Sequence, residues 1–140
     1  MILLDTDHLS VLINEEAAKH PELDERLRSS DDKDVAAPIV SLEEQCRGWL
    51  AQINRLPKVQ DQVLAYELRN LFYYYGEWEI VPFDANAADM FNRLRKQKVR
   101  IGTQDLKISA IALVNDALLL SANLRDFKKV PGLRVENWLE

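Results

Sequence analysis

The chain has 140 residues, 47% of them hydrophobic and 29% charged, with a formal net charge of −5. That length fits one domain over 1–140 with its own core, and the balance excludes a disordered chain. The acidic total argues against a partner held by blanket phosphate neutralisation, and a lone cysteine, Cys46, excludes an intrachain disulfide and a cysteine-built zinc cage.

Residues 1–4 are a short apolar run that ends in Asp5, the pattern of a buried strand with a carboxylate at its C-terminal end. Thr6 or Asp7 can cap a short helix carrying Leu9, Leu12 and Ile13. Residues 20–30 read as an amphipathic helix with Pro21 in its first turn, followed by a polar loop at Asp31 to Asp34. Val35 to Val40 reads as a second strand, and Ser41-Leu42-Glu43-Glu44 opens a helix. Pro57 interrupts the pattern. A long helix is expected from about Lys58 to Tyr75, with Gly76 stopping it. Ile80 to Phe83 is a short strand, and Pro82 suggests the sheet edge. Asp84 to about Lys98 returns to helix, and Gly102 starts another that runs to Asn115. Leu118 to Ser121 is a buried strand, and the segment around Leu133 to Val135 can add a last one. Strands alternating with helices predict an α/β/α sandwich around a mostly parallel sheet. The N-terminal residues lack a basic n-region and an apolar h-region, and no apolar run approaches the roughly 20 residues that span a bilayer. The expectation is a cytoplasmic protein without a membrane role.

In such sheets ligands bind beyond the carboxyl ends of the strands, and four acids fall there. Asp5 follows the first strand, Glu44 lies a helical turn past the second, Asp105 opens the helix leading to the Leu118 strand, and Asp126 follows that strand. Converging carboxylates repel unless a cation is present, and hard divalent ions take oxygen ligands. Each acid also has a plainer reading. Asp5 could bond the helix that follows it. Ser41-x-x-Glu44 is a capping box. Asp105 sits where the helix dipole favours an acid, and Asp126 suits an ordinary turn. Glu43 should face solvent, His8 should be structural, and Cys46, Trp49, Trp78 and Trp138 should pack in the core or an interface. The run Arg93, Arg95, Lys96, Lys98 and Arg100 reads either as a solvated helix face or as a track for an RNA backbone.

These segments together carry a resemblance. Leu3-Leu4-Asp5-Thr6-Asp7-His8-Leu9, Ser41-x-x-Glu44-x-x-x-Gly48 and Ile101-Gly102-x-x-Asp105-x-x-Ile108 resemble the successive motifs of PIN-domain ribonucleases. Leu119-Leu120-Ser121-x-Asn123-x-x-Asp126-Phe127 is similar to the closing segment of the VapC-type toxins, as is the stretch from Val130-Pro131-Gly132 to Trp138. The likeness spans nearly the whole chain in order. It implies a PIN-like fold and Mg²⁺- or Mn²⁺-dependent RNA cleavage. The implied acidic site is Asp5, Glu44, Asp105 and Asp126, with Thr6, Ser121 and Asn123 supporting it. The implied role is the toxin of a type II toxin–antitoxin pair, with a cognate antitoxin and a homodimer as partners. Asp7, Gln45 and Ser121 depart from the commonest residues of the pattern.

The mechanism expected is hydrolysis of RNA phosphodiesters by water activated by Mg²⁺ or Mn²⁺ at the four carboxylates. Two rivals stand beside it. One is a non-catalytic PIN-like module that binds RNA or protein. The other is a haloacid-dehalogenase-like phosphatase with Asp5 as nucleophile and Asp7 as general acid, against which no later strand ends in a paired-acid motif.

Overall fold

The structure is a computed structural model and describes residues 1–13 and 19–140. The elements in chain order are β1 (Ile2–Leu4), α1 (Thr6–Ile13), α2 (Pro21–Ser29), β2 (Val35–Pro38), α3 (Ile39–Arg55), α4 (Arg69–Tyr75), β3 (Glu79–Val81), α5 (Ala85–Lys96), α6 (Thr103–Val114), β4 (Leu118–Leu120), α7 (Leu124–Phe127) and β5 (Arg134–Glu136). The strands form one sheet in the order β3-β2-β1-β4-β5, and every pairing is parallel. Pro82 lies just past β3, which is an edge strand as its sequence suggests. Among the described residues, no helix is long and apolar enough to cross a membrane.

Strand side chains alternate between two faces, and each face has its own core. Leu3, Ala36 and Leu119 pack with Ala87 of α5, Ile108, Ile111 and Ala112 of α6, and Phe127 of α7. Ile2, Leu4, Ala37 and Leu120 pack on the other side with Leu9 of α1, Leu23 of α2, Leu71 and Tyr75 of α4, and Trp138. Helices therefore cover both faces, making the α/β/α sandwich. Trp138 is buried there, with Cys46, Trp49 and Trp78 packed against the same cluster.

The topology fixes where a site can form. From β1 the chain winds outward through β2 and β3, then returns to place β4 on the other side of β1. The winding reverses at the β1–β4 boundary, which opens a crevice beyond their carboxyl ends. Leu4 is in register with Leu120, so Asp5 and Ser121 leave the sheet side by side.

Two elements differ from the sequence reading. The strand expected to reach Val40 stops at Pro38, which has no N–H to carry the ladder and stands at the N-cap of α3. Ile39 and Val40 become the first helical turn, and Ser41 is a buried helical residue rather than a cap. The long helix expected from Lys58 to Tyr75 is broken into two 3-10 turns, Val59–Gln62 and Ala65–Leu68, before the short α4. Helical stability comes mostly from burying an apolar face, and here Val59, Val63 and Leu64 are 72%, 66% and 73% exposed. The Gln62 amide also donates to the carbonyls of Ile53 and Leu56 at 3.1 and 2.8 Å.

Helix α5 ends in a Schellman turn. The Val99 N–H donates to the Leu94 carbonyl and the Lys98 N–H to the Arg95 carbonyl, while Leu94 and Val99 share one apolar cluster. Lys98 occupies the left-handed position of this turn, with φ of 61°, where glycine is usual.

Candidate active site

Asp5 is held by both strands that flank the crevice. Its backbone N–H donates to the Leu120 carbonyl at 2.9 Å. One carboxylate oxygen accepts from the Thr6 N–H at 2.7 Å and the other from the Ser121 hydroxyl at 2.7 Å. Burial, with the charges of Asp7 and Asp105, pushes its pKa up to about 7 despite those hydrogen bonds.

The segment after β4 organises the remaining groups. The Asn123 N–H donates to Ser121 Oγ at 3.0 Å. The Asn123 amide nitrogen then bridges two acids, donating to Asp105 at 3.2 Å and to Asp126 at 3.1 Å. Asp105 thus faces across to Asn123 from the first turn of α6. Burial and the neighbouring Asp126 raise its pKa. Asp126 stays open to solvent on one side. The Asn123 hydrogen bond, followed by Lys129 at 3.5 Å, holds its pKa below the usual carboxylate range.

Glu44 reaches the group from α3. The early start of the helix removes its capping-box role. Its Oε2 lies at the hydrogen-bond limit, 3.5 Å, from the Thr6 hydroxyl, and its Oε1 is buried without a partner among the described residues. Burial, then repulsion from Asp105, raises its pKa. A buried carboxylate oxygen lacking a donor is costly and needs compensation. Glu43 does not simply face solvent: it pairs with Arg47 at 2.6 Å and accepts from the Gln104 amide at 3.0 Å, tying α3 to α6.

Asp5, Glu44, Asp105 and Asp126 therefore come from four separate elements and act on one another's charges. Among the described residues, no three acid, histidine or cysteine side chains close into a ready-made metal shell. The donor set is all oxygen, its charge is uncompensated, and one oxygen is orphaned. Those properties fit a hard divalent cation.

Asp7 and His8 play a part that sequence reasoning missed. The Trp138 N–H donates to His8 Nε2 at 3.1 Å, which leaves the imidazole proton on Nδ1, facing Asp7 Oδ1. The other Asp7 oxygen accepts from the Ala122 N–H at 2.9 Å. Burial raises the Asp7 pKa, but the His8 and Ala122 hydrogen bonds outweigh it, and the carboxyl stays below its ordinary value. The pair ties the segment after β4 to α1 and to Trp138. His8 is wholly buried and structural, as its sequence position suggests.

Beside Asp126 a cleft of about 650 Å³ opens between α5 and α6, with Arg95, Lys98 and Arg100 in its wall. Arg93 and Lys96, from the same basic run, do not line it.

A family model for the PIN domain matches residues 2–133. The chain is 37% identical over 67 residues to Ribonuclease VapC1 of Rickettsia felis, covering 45% of this chain and 50% of that protein. It is 31% identical over 69 residues to the tRNA(fMet)-specific endonuclease VapC of Salmonella typhimurium, covering 46% and 52%. The chain thus spans about half the length of the curated relatives it matches. Among solved structures, VapBC2 from Rickettsia felis bound to a promoter DNA fragment is similar with a TM-score of 0.71 and 25% identity, over 99% of both chains. VapBC-1 from nontypeable Haemophilus influenzae is similar with a TM-score of 0.72 and 20% identity, over the full length of both.

Proposed function

The chain belongs to the PIN-domain family, and from that premise we propose that it is a metal-dependent endoribonuclease, the toxin of a type II toxin–antitoxin pair. The observation that carries this reading is the convergence of four acids at the β1–β4 switch point, one with a buried, partnerless oxygen. Asp5, Glu44, Asp105 and Asp126 would hold Mg²⁺ or Mn²⁺. When bound, the ion supplies Lewis-acid activation of water and of the phosphodiester. The chain's own groups prepare the site. Ser121 and the Thr6 N–H fix both oxygens of Asp5. Asn123 holds Asp105 and Asp126 in one orientation. Thr6 stands against Glu44. This pre-organisation lowers the cost of placing charges where the phosphate arrives.

The antitoxin reading draws support from the VapBC complexes this chain resembles. It also draws on exposed apolar side chains at Val59, Val63, Leu64, Tyr66, Phe72 and Tyr73, more than a solitary soluble surface needs. A homodimer is a second occupant for such a surface.

The test is cleavage of total bacterial RNA by wild type and Asp5→Asn, each in Mg²⁺, in Mn²⁺ and in EDTA. Discrete cuts that need both the metal and Asp5, leaving 5′-phosphate and 3′-hydroxyl ends, are expected. Cyclic 2′,3′-phosphate ends would indicate attack by the RNA's own hydroxyl and overturn the mechanism. A folded, metal-binding protein that cuts nothing would favour a binding module.

A further inference from the structure

We infer that the cleft between α5 and α6 is a subsite for a nucleotide flanking the scissile bond in single-stranded RNA. In it Lys98 and Arg100 hold a backbone phosphate, and the Arg95–Phe91 stack receives an unpaired base. The inference rests on the ribonuclease reading above.

The first observation is position. Asp126 forms part of the cleft wall, so the cleft opens directly onto the acidic site, and its volume of about 650 Å³ is within the range of ligand-sized clefts. A strand whose scissile phosphate lies at the acids has a neighbouring nucleotide to place, and this is a recess beside them.

The second observation is charge. Arg26, Arg28, Arg47, Arg69, Lys129 and Arg134 each pair with a carboxylate. Arg95, Lys98 and Arg100 make no ion pair among the described residues, a state they share with Arg93 and Lys96 of the same run, and what sets them apart is that they line the cleft beside Asp126. Their positive charge is left available at the rim of an acidic centre. A polyanion approaching that centre needs it there.

The third observation is backbone strain. The Schellman turn after α5 calls for glycine, yet the left-handed position holds Lys98. Among the described residues two non-glycine residues have positive φ, Lys98 and Asp116; residues kept in sparsely populated conformations are enriched at functional sites, and Lys98 is the one of the two that lines the cleft.

The fourth observation is the stacking surface. The Arg95 guanidinium lies 5.7 Å from the centre of the Phe91 ring, and both line the cleft. Arginine planes and aromatic rings are the surfaces on which unstacked bases settle. A base can reach this one only when it is free of a helix, which selects single-stranded RNA.

The structure also divides the basic run. Arg93 and Lys96 lie outside the cleft, on a solvated side of α5.

The experiment separates binding from cutting. In the Asp5→Asn background, with Mg²⁺ present, affinity for a mixed-sequence single-stranded oligoribonucleotide is measured against salt. Lys98→Gln and Arg100→Gln should each weaken binding about tenfold and lower the salt slope by about one. Arg93→Gln and Lys96→Gln should change affinity by less than about twofold. A hairpin of the same sequence should bind more weakly than the single strand. Lys98→Gly carries the distinguishing signature: it should raise Tm by about 3 °C through relief of the left-handed strain while weakening RNA binding as Lys98→Gln does. In the cutting enzyme, the Lys98 and Arg100 variants should raise KM with kcat retained. Equal effects from all four cations, or wild-type KM in the Lys98 and Arg100 variants of an enzyme that still cuts, would overturn the subsite and leave the nuclease reading standing. Variants that release a protein partner while binding RNA normally would also overturn it. Failure of the parent protein to bind or cut any RNA would overturn both.

Discussion

On the proposed reading, Asp5 sets function against stability at a single residue. Its carboxyl is buried, and its pKa is raised from 3.8 to about 7 in the folded state, first by burial and then by Asp7. Between those values the folded state binds more protons than the unfolded one, so stability falls as pH rises through that window and is level above it. In the absence of metal the ionised form costs on the order of 4 kcal/mol. Asp5→Asn should therefore cut RNA at least about a hundredfold more slowly and yet be more stable than wild type in EDTA. The gap should widen from pH 4 to pH 7, as denaturant titrations at several pH values would read. Wild type and variant of equal stability at every pH would refute it. Asp5 was legible from sequence because an acid closing a buried apolar strand is costly to keep unless something there needs its charge. Glu44 was ambiguous, since its capping-box pattern resolves only once Pro38 is seen to start α3. Asp7 and His8 were not legible as a pair, because their partners, Ala122 and Trp138, are more than 100 residues away. Asp7 must accept from two donors at once, the His8 imidazole and the Ala122 N–H. Asp7→Asn can serve one and must present an N–H to the other, at a cost of about 1–3 kcal/mol. His8→Leu removes the same hydrogen bond and also orphans the Trp138 N–H, so its loss and that of Asp7→Asn should combine to less than their sum; a double-mutant cycle with no coupling would contradict the arrangement.

At the scale of elements, the strands and most helices followed from alternation and apolar runs. The failures share a cause. The segment from Val59 to Leu68 has a helix-compatible composition but little surface to cover: Ala65 is buried while Val59, Val63 and Leu64 remain exposed, and the backbone settles into separate turns. Periodicity reports that a face exists and is silent on whether anything packs against it. The β2–α3 boundary was misplaced for a similar reason: Ile39 and Val40 are as fit for a strand as for the buried first turn of a helix. Strand β4 shows the opposite case, an apolar run whose role is unambiguous. Leu119 is fully buried at the heart of one core face, and Leu119→Ala should cost about 2–5 kcal/mol. Because Ser121 and Asn123 hang from the end of β4, the variant should also lose activity more steeply than its fraction unfolded accounts for. Assaying it well below its Tm would separate the two effects.

For the whole molecule, the linkage runs between metal and fold. A cation that binds only the folded site stabilises it by about 2.7 kcal/mol at a hundred times its dissociation constant. Mg²⁺ or Mn²⁺ should raise Tm in wild type and much less in Asp5→Asn, and EDTA should remove the difference; an equal rise in both would place the ion elsewhere. The α/β/α architecture was readable from the alternation of strands and helices, but the strand order was not, since no local pattern announces that β4 returns to the far side of β1. That return carries a temporal consequence. Ser121 reaches Asp5 across 116 residues of chain, so the central strand waits for a neighbour that is made long after it. Until β4 emerges from the ribosome, Asp5 has no Ser121 beside it and Asp105 no Asn123. A nascent polypeptide therefore carries these acids unassembled through that interval, and the crevice forms only with the late pairing of β4 to β1.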